Sequence, residues 1–292
     1  MLVDDIRWDD PDVMRAMQQL EEAVRKMNFR RSVERLTEKL RLDIRRAFIK
    51  QGAIFVQSLR STLRLHFAES MEGHVRFLSA PLKESMAPTD WLPIWVQTDQ
   101  KTFSLFAEPI EKIATRALQL GALATIAEIK MDISFTLENP RAVQYLRDYG
   151  ARQVTKISET TRGELQTLIS QAVDEGWSYS RLAEAIQDRF DGFANGMPQQ
   201  HIDSRAHLVA VTEAGNAYAE GNLIIAQDLQ DAGLTMEKAW STTGDDRVSA
   251  GCKANEEAGY IGINQEFPSG HQRPLRFPGC RCDLKTRVKK EQ

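Results

Sequence analysis

The chain has 292 residues, of which 42% are apolar and 27% are charged. This length and composition allow a sizeable core, and they exclude a disordered protein or a miniprotein held together by disulfides. The formal net charge of −3 and the pI near 6.0 exclude a protein whose whole surface binds nucleic acid, because phosphate binding needs dense Lys and Arg. Any contact with DNA is therefore expected to be local.

The amino terminus lacks the pattern of a signal peptide. Asp4, Asp5, Asp9 and Asp10 stand where a signal peptide would carry a basic and then an apolar stretch. No later run approaches the roughly 20 apolar residues that span a bilayer. We therefore expect a protein made in a reducing cytosol, with no membrane partner and no disulfide framework.

A long amino-terminal helix is predicted from about residue 12 to residue 66, where proline is absent. Val33, Leu36, Leu40 and Ile44 follow one another at spacings of three and four, which places them on one face of a helix. Basic residues outnumber acidic ones in this stretch. They form either a solvated face with ion pairs between successive turns, or a face that contacts DNA or an acidic partner.

Three prolines, Pro81, Pro88 and Pro93, predict a connection between two helical blocks. The second block runs from about Thr102 to Ile129. Within it, Pro109 either kinks the helix or lies in the first turn of a new one.

A domain boundary is expected near residues 131–143. In this segment apolar and polar residues alternate briefly, and it forms either a short strand or an extended linker. The sequence therefore predicts a helical amino-terminal region over residues 1–136 and a carboxy-terminal domain over residues 137–292.

Helix start and stop signals are clearer after this boundary. Thr161 and Glu164 have the spacing of a capping box that opens a helix, and Gly176 is a residue that ends one. Ser178 is expected to cap the next helix, with Trp177 packed on Leu182 as a hydrophobic staple. The two helices would form a hairpin.

One long helix is predicted from Arg205, ended by Gly233. Its buried seam is expected to consist of Leu208, Val211, Gly215, Tyr218, Ile225 and Leu229. Asn222 is expected on its exposed side. The remainder is rich in glycine and turn formers, with short strands at KAWST and CDLKTRV. The fold class is therefore mostly α, with a small α+β carboxy-terminal domain that contains loops, short strands and the cysteines.

All three cysteines lie between positions 252 and 282. Cys252, His271, Cys280 and Cys282 together supply four ligands of the kind that zinc takes tetrahedrally, although the spacing matches structural zinc sites only in part. Two alternatives remain open. The cysteines are reduced, buried thiols, or Cys252 forms an oxidised link with Cys280 or Cys282.

Two further groups contain candidate chemistry. Asp245, Asp246 and Arg247 follow a glycine after a predicted strand, and they form either a catalytic carboxylate pair or an Asp-rich turn that hydrogen-bonds local amides. Thr212 and Glu213 lie inside the long helix. Glu213 would be a surface carboxylate, a general base, or a buried partner for Arg247 or a cation.

Several blocks of the sequence occur in the order seen in one known family. They are LVAVTE and AYAEG on the long helix, Trp240, the DDR at Asp245 to Arg247, a cysteine five residues further on, and the final PGCRC. In this order they resemble the phage Mu F-like minor head proteins, also called the phage head morphogenesis family. The blocks cover about a third of the chain.

The resemblance implies a non-enzymatic virion protein that acts in head morphogenesis at the portal vertex. Its expected partners are the portal protein and other head proteins, with packaged DNA as a further candidate. Its expected location is the virion head near the portal, and the host cytoplasm during assembly. Relatives of this domain can be joined to enzymatic domains downstream, which we do not expect here because the chain ends soon after Cys282.

Two departures from the family pattern bear on a metal site. Family members often have a cysteine two residues after the Arg of DDR and a histidine before the last proline, where this chain has Ser249 and Phe277. If the family's set binds zinc, His271 would have to substitute. The alternative function is a metal-dependent nuclease or hydrolase that uses Asp245, Asp246 and His271 around a cation.

Overall fold

The computed structural model describes residues 11–64, 82, 89–130, 133–196, 202 and 204–289, without the side chains of 11–28, 63–64 and 150–151. In this part of the chain there are six helices and a small three-stranded antiparallel sheet near the carboxy terminus. The helices are α1 (Pro11–Arg64), α2 (Leu92–Ile129), α3 (Pro140–Asp174), α4 (Tyr179–Asn195), α5 (Arg205–Asp231) and α6 (Ala250–Glu257). The predicted fold class, mostly α with a small α+β region, is confirmed.

The chain forms two compact units, each assembled from separate stretches of sequence. Unit 1 comprises residues 1–37, 114–143 and 212–292, and unit 2 comprises residues 38–113 and 144–211. The division into functional domains at residues 136 and 137 stays a prediction.

The core of unit 2 is aromatic. Phe48 lies with its ring centroid 5.1 Å from Phe106 and 5.4 Å from Phe193, in edge-on and tilted arrangements that aromatic rings prefer. Phe55 contacts Trp95 edge-on at 5.9 Å. These large rings hold α1, α2 and α4 of this unit together.

The amino-terminal helix is confirmed, since α1 runs from Pro11 to Arg64. Leu40 and Ile44 are fully buried, as their spacing predicts, whereas Val33 and Leu36 are half-buried. The predicted ion pairs between successive turns also form, as Arg30–Glu34, Arg41–Glu38 and Arg46–Asp43.

The second helical block begins earlier than predicted. Helix α2 starts at Leu92, so that Pro93 lies in its first turn, and it continues through Pro109 to Ile129. The idea that Pro109 opens a new helix is therefore wrong. Pro81 and Pro88 lie outside the described residues. Residues 133–136 form no strand, and helix α3 already begins within the predicted boundary segment, at Pro140.

The predicted capping box at Thr161 is wrong, because α3 begins at Pro140. The cap is Asn139, whose side-chain oxygen accepts hydrogen bonds from the backbone N–H groups of Arg141 and Ala142. Thr161 is buried inside the helix, and its hydroxyl donates to the carbonyl of Ile157 at 2.8 Å. A threonine can satisfy its hydroxyl on the preceding turn, so the same residue type serves at a cap or in a helix interior.

The signals at the other end of α3 are confirmed. Gly176 has a φ of 66°, and the N–H of Trp177 bonds to the carbonyl of Ala172, which is the pattern of a helix ended by a left-handed glycine. Ser178 then caps α4, where its side chain accepts from the N–H of Arg181 at 3.3 Å. Gly233, with a φ of 97°, ends α5 in the same manner.

The buried face of α5 differs in part from the predicted seam. Ile225 and Leu229 are buried as expected, but Leu208, Val211, Gly215 and Tyr218 are only half-buried. Several small residues are among those buried instead: Ala206, Ala210, Ala214, Ala217 and Gly221. The expectation that Asn222 is exposed is wrong, since Asn222 is 3% exposed and accepts a hydrogen bond from Thr125.

The small residues allow α2 and α5 to cross at very short distance within unit 1. A Cβ atom added to Gly121 would lie 1.9 Å from the carbonyl oxygen of Tyr218, and one added to Gly221 would lie 2.0 Å from that of Leu118. Each glycine is therefore required by the backbone of the opposite helix. Large side chains are excluded at this crossing, which explains why a search for large apolar residues misplaced the buried face.

The small sheet follows α5. Strand β1 (Met236–Ser241) is central and pairs antiparallel with β2 (Ile261–Gly262) and β3 (Asp283–Val288). In the register of β1 and β3, Trp240 lies opposite Leu284. The predicted strands at KAWST and CDLKTRV are confirmed, and they place Trp240 and Cys282 at the same end of the sheet.

Candidate functional site

The three cysteines converge at one point of unit 1. Cys252 lies in α6, Cys280 lies in the turn before β3, and Cys282 directly precedes β3. Their sulfur atoms lie within 4.8 Å of one another, and the Sγ atoms of Cys252 and Cys280 are 3.9 Å apart. The prediction that residues 240–282 fold back to bring the cysteines together is confirmed. All three cysteines are free, so the alternative of an oxidised link does not describe this structure.

The surroundings of Cys280 favour its charged form. Hydrogen bonding from the Cys282 thiol lowers the pKa of the Cys280 thiol, with further donation from the backbone N–H groups of Cys282 and Arg276 and from the Cys252 thiol; burial opposes this shift. The same contact raises the pKa of Cys282, since its proton is held by the Cys280 sulfur. The cluster therefore stabilises one thiolate that accepts several hydrogen bonds.

Trp240 forms one wall of this cluster from β1. It is 2% exposed and its ring contacts Phe267 edge-on at 5.2 Å. Among the described residues, its indole N–H has no hydrogen-bond partner. It lies close enough to Cys282 to act to lower the pKa of that thiol. A buried, unsatisfied donor thus lies beside the cluster.

The segment that carries Cys280 is anchored on one face of α5. The hydroxyl of Thr212 accepts a hydrogen bond of 3.1 Å from the N–H of Gly279, the residue before Cys280. One turn further on, the side-chain oxygen of Asn216 accepts from the Arg273 guanidinium at 3.1 Å, and Arg273 also pairs with Glu220. Thr212 is therefore a positioning residue for the cysteine turn.

Glu213, next to Thr212, is 3% exposed. The default expectation of a surface carboxylate is thus wrong, because the side chain is buried. Arg247, the partner considered from sequence, is exposed.

The DDR residues form a turn that is tied to the same cysteine segment. Asp245 accepts a hydrogen bond from the N–H of Arg247 at 3.1 Å, as an Asp-rich turn predicts. Its carboxylate also pairs with Arg281 at 2.7 Å, between Cys280 and Cys282. Hydrogen bonding from Arg281 lowers the pKa of Asp245. Asp246 and Arg247 themselves are exposed.

His271 lies apart from the cysteine cluster. Its Nδ1 atom is 2.9 Å from the carbonyl oxygen and 3.1 Å from the hydroxyl of Ser269. Ser269 is in turn held by the buried side chain of Asn255, at 2.8 and 3.0 Å. The only group in the described part of the chain whose Cys, His, Asp or Glu ligand atoms lie within 4.8 Å contains the three cysteines without His271. His271 instead orders the turn around Ser269.

The two departures from the family pattern have local structural roles. Ser249 is the N-cap of α6, where its side chain accepts from the N–H of Cys252 at 3.3 Å. Phe277 is 37% exposed, with the Arg276 guanidinium 5.3 Å from its ring centroid. Ser249 therefore orients the helix that carries Cys252.

Lys238 was not predicted from the sequence as a notable residue, and it is fully buried in β1. Its ammonium donates to Gln272 at 2.6 Å and lies 5.5 Å from the ring centroid of Phe267. Burial lowers the pKa of Lys238 to about 8, against an opposing effect of Glu266. Alternation along KAWST places Lys238 on the same side of β1 as Trp240, and this was the available signal.

The geometry defines a small α+β module in which a helix, a tight turn and a short antiparallel sheet are joined around three thiols. Residues 163–285 match the family model described as "Phage Mu protein F like protein". The resemblance recognised from sequence is thereby confirmed: this part of the chain is similar to the Mu F-like proteins, a family that suggests a role in phage head morphogenesis. The comparison with curated proteins gave no match, and neither did the comparison with solved structures.

The matched region contains the three cysteines and the residues named around them, and it ends within β3. It joins blocks that are distant in sequence, through the contacts Thr212–Gly279, Asp245–Arg281 and Cys252–Cys280. In the described residues, no helix combines the length and the apolar character needed to cross a membrane.

Proposed function

We propose that this protein is a minor head protein that assembles at the portal vertex of a phage particle. The observation that carries the proposal is the Mu F-like match over residues 163–285. It is supported by the way the motif residues are used. Thr212 and Asp245 act as local anchors of the cysteine turn, which suits a module built to hold a shape.

The exposed residues of the DDR turn are the proposed contact with the portal. Asp246 and Arg247 point outward from a turn that is fixed by the Asp245–Arg281 ion pair. A rigid turn with two exposed charges of opposite sign is suited to polar recognition, because little conformational entropy is lost when it binds.

Co-assembly with the portal protein of the same phage tests this proposal. The two proteins are co-expressed and separated by sedimentation, where we expect this chain to travel with the portal ring. The double variant Asp246→Ala and Arg247→Ala should lose co-sedimentation while keeping its circular dichroism spectrum. Lys253→Ala, an exposed change on the neighbouring helix, is the matched control. A wild-type chain that stays at the top of the gradient would refute portal association.

Packaged DNA is the second proposed partner, through the part of α1 that belongs to unit 2. Lys39, Arg46, Lys50 and Arg60 are exposed there. At about 100° per residue they fall within an arc of roughly 80°, so they form one basic stripe on the helix. A stripe of this size would contact few phosphates, which agrees with the absence of a general positive charge.

Salt dependence tests the DNA contact. With about four phosphate contacts, the logarithm of the binding constant should fall with the logarithm of salt concentration at a slope of about −3 to −4. Replacing Lys39, Lys50 and Arg60 with Glu should abolish binding, whereas replacing Lys101, Lys112 and Arg116 on α2 should have little effect. Equal losses in both triple variants would show that the stripe is not the contact.

The nuclease alternative needs Asp245, Asp246 and His271 around one cation. Asp245 is already engaged by Arg281, and His271 is engaged by Ser269. We therefore propose a non-enzymatic role. Cleavage of DNA by the purified protein with Mg²⁺ or Mn²⁺, lost on Asp246→Ala, would overturn it.

A further inference from the structure

We propose that Cys252, Cys280 and Cys282 form a zinc site of three thiolates, whose fourth position is open to water. The site does not include His271, which the sequence had suggested as the fourth ligand. The proposal rests on the geometry and surroundings of the cysteines and is independent of the role in head assembly.

The sulfur spacing fits a tetrahedral ion. Two sulfurs bound to zinc at about 2.3 Å with tetrahedral angles are about 3.8 Å apart. The Sγ atoms of Cys252 and Cys280 are 3.9 Å apart, and the Cys282 sulfur lies within 4.8 Å of both. A side-chain rotation that moves the Cys282 sulfur by about 1 Å or less brings it into place. A disulfide would instead require a separation of about 2.05 Å and would leave one thiol unused.

The surroundings supply the hydrogen bonds that metal thiolates need. Backbone N–H groups of Arg276 and Cys282 donate to the Cys280 sulfur. The indole N–H of Trp240 is buried, has no hydrogen-bond partner in the described part of the chain, and lies beside Cys282. Donors around the ligating atoms orient them and reduce their charge. A buried indole N–H without a partner gains an acceptor if the neighbouring Cys282 sulfur becomes a thiolate ligand.

The fourth position can be assigned by burial. Cys252 and Cys280 are 1% and 3% exposed, whereas Cys282 is half-buried. Solvent therefore reaches the cluster on the side of Cys282. His271 is held away by Ser269, which is bound to the buried Asn255. Water is the ligand that this arrangement admits.

A zinc ion here would connect three parts of the module that have little regular structure between them. It would bind α6, the turn at Cys280 and the start of β3 to one another. The free energy of metal binding then contributes to folding, because the site does not exist in the unfolded chain. This explains why a loop-rich segment can hold a defined conformation.

Metal analysis of the full chain, purified under reducing conditions with no polyhistidine tag, tests the proposal. We expect about one zinc per chain. Replacement with Co²⁺ should give thiolate-to-metal charge-transfer absorption and the strong visible bands of a tetrahedral site. Cys280→Ser should lose the metal, and His271→Ala should keep it. Wild-type protein that stays free of zinc after incubation with zinc salt would overturn the proposal.

A second measurement applies if the cysteine variants do not fold. Labelling of the wild-type chain with a maleimide should be slow for all three thiols and should accelerate after a chelator is added. Labelling that is unaffected by the chelator would overturn the proposal. Loss of zinc from His271→Ala to the same extent as from Cys280→Ser would overturn the assignment of three thiolates and water.

Discussion

Gly121→Ala tests the close crossing of α2 and α5. The added methyl group would lie 1.9 Å from the carbonyl oxygen of Tyr218, whereas real Cβ atoms essentially never come closer than 3.0 Å to another heavy atom. The two helices must therefore separate by about 1 Å or more. A gap of that size forfeits about a quarter to a half of the dispersion energy across the contact.

The expected loss of stability follows from these terms. Forcing an extra methyl group into a packed interior costs about 1 to 3 kcal/mol. Separation also strains the hydrogen bond between Thr125 and Asn222, worth about 1 kcal/mol. The higher helix propensity of alanine relative to glycine offsets up to about 1 kcal/mol of this loss. These terms add up to a fall of about 1 to 4 kcal/mol in the free energy of unfolding, and Tm should fall by about 2 to 4 °C for each kcal/mol.

The matched control is Gly163→Ala, the same change in the interior of α3. A Cβ atom added there meets nothing within 4 Å. It should therefore stabilise the protein by up to about 1 kcal/mol. Urea unfolding followed by circular dichroism gives both values. If Gly121→Ala is as stable as Gly163→Ala, the helices do not cross at the described distance.

Three other measurements test separate parts of the structure. Ile225→Ala should lower the free energy of unfolding by about 2 to 5 kcal/mol, whereas Leu123→Ala, 39% exposed, should change it by less than about 1 kcal/mol, and similar losses would contradict the assigned face. Lys238 has a pKa of about 8 in the folded protein, so between about pH 8 and pH 10.5 the unfolded chain binds a proton that the folded protein has lost. The free energy of unfolding of the wild type should therefore rise over this range relative to that of Lys238→Met. Parallel plots of stability against pH for the two proteins would contradict the burial of Lys238. Arg141→Gln, which removes ion pairs with Asp228 and Asp231, should cost up to about 1 kcal/mol in low salt and less in 1 M NaCl, and a loss independent of salt would exclude an electrostatic cause.

The parts of the fold that depend on local chemistry were predictable from sequence. Gly176 and Gly233 end helices because only glycine adopts a positive φ readily, and Ser178 caps because its side chain reaches an amide three residues on. Thr161 was misassigned because the spacing of Thr and Glu that marks a capping box also occurs inside a helix.

Features that depend on distant contacts were not predictable in the same way. The buried side of α5 is set by how closely α2 approaches, and nothing in α5 alone distinguishes Ala217 from an exposed alanine. The convergence of the cysteines was predictable because they share a segment with few regular elements. The separation of His271 from them was not, because it depends on Asn255 and Ser269 holding a turn.

The discontinuous composition of unit 1 affects the order in which the protein folds during synthesis. Every segment of unit 2 has been synthesised by residue 211, whereas unit 1 still lacks residues 212–292 at that point. At that point Thr125 has been synthesised, but its hydrogen-bond partner Asn222, 97 residues later in the chain, has not. Closing a loop of this length costs more entropy than closing a short one, and domains generally fold as they emerge. Unit 2 is therefore expected to become protease-resistant on the ribosome before unit 1 does. In the interval, the apolar side of α2 at Leu118 and Ala122 is expected to stay exposed and open to chaperone binding.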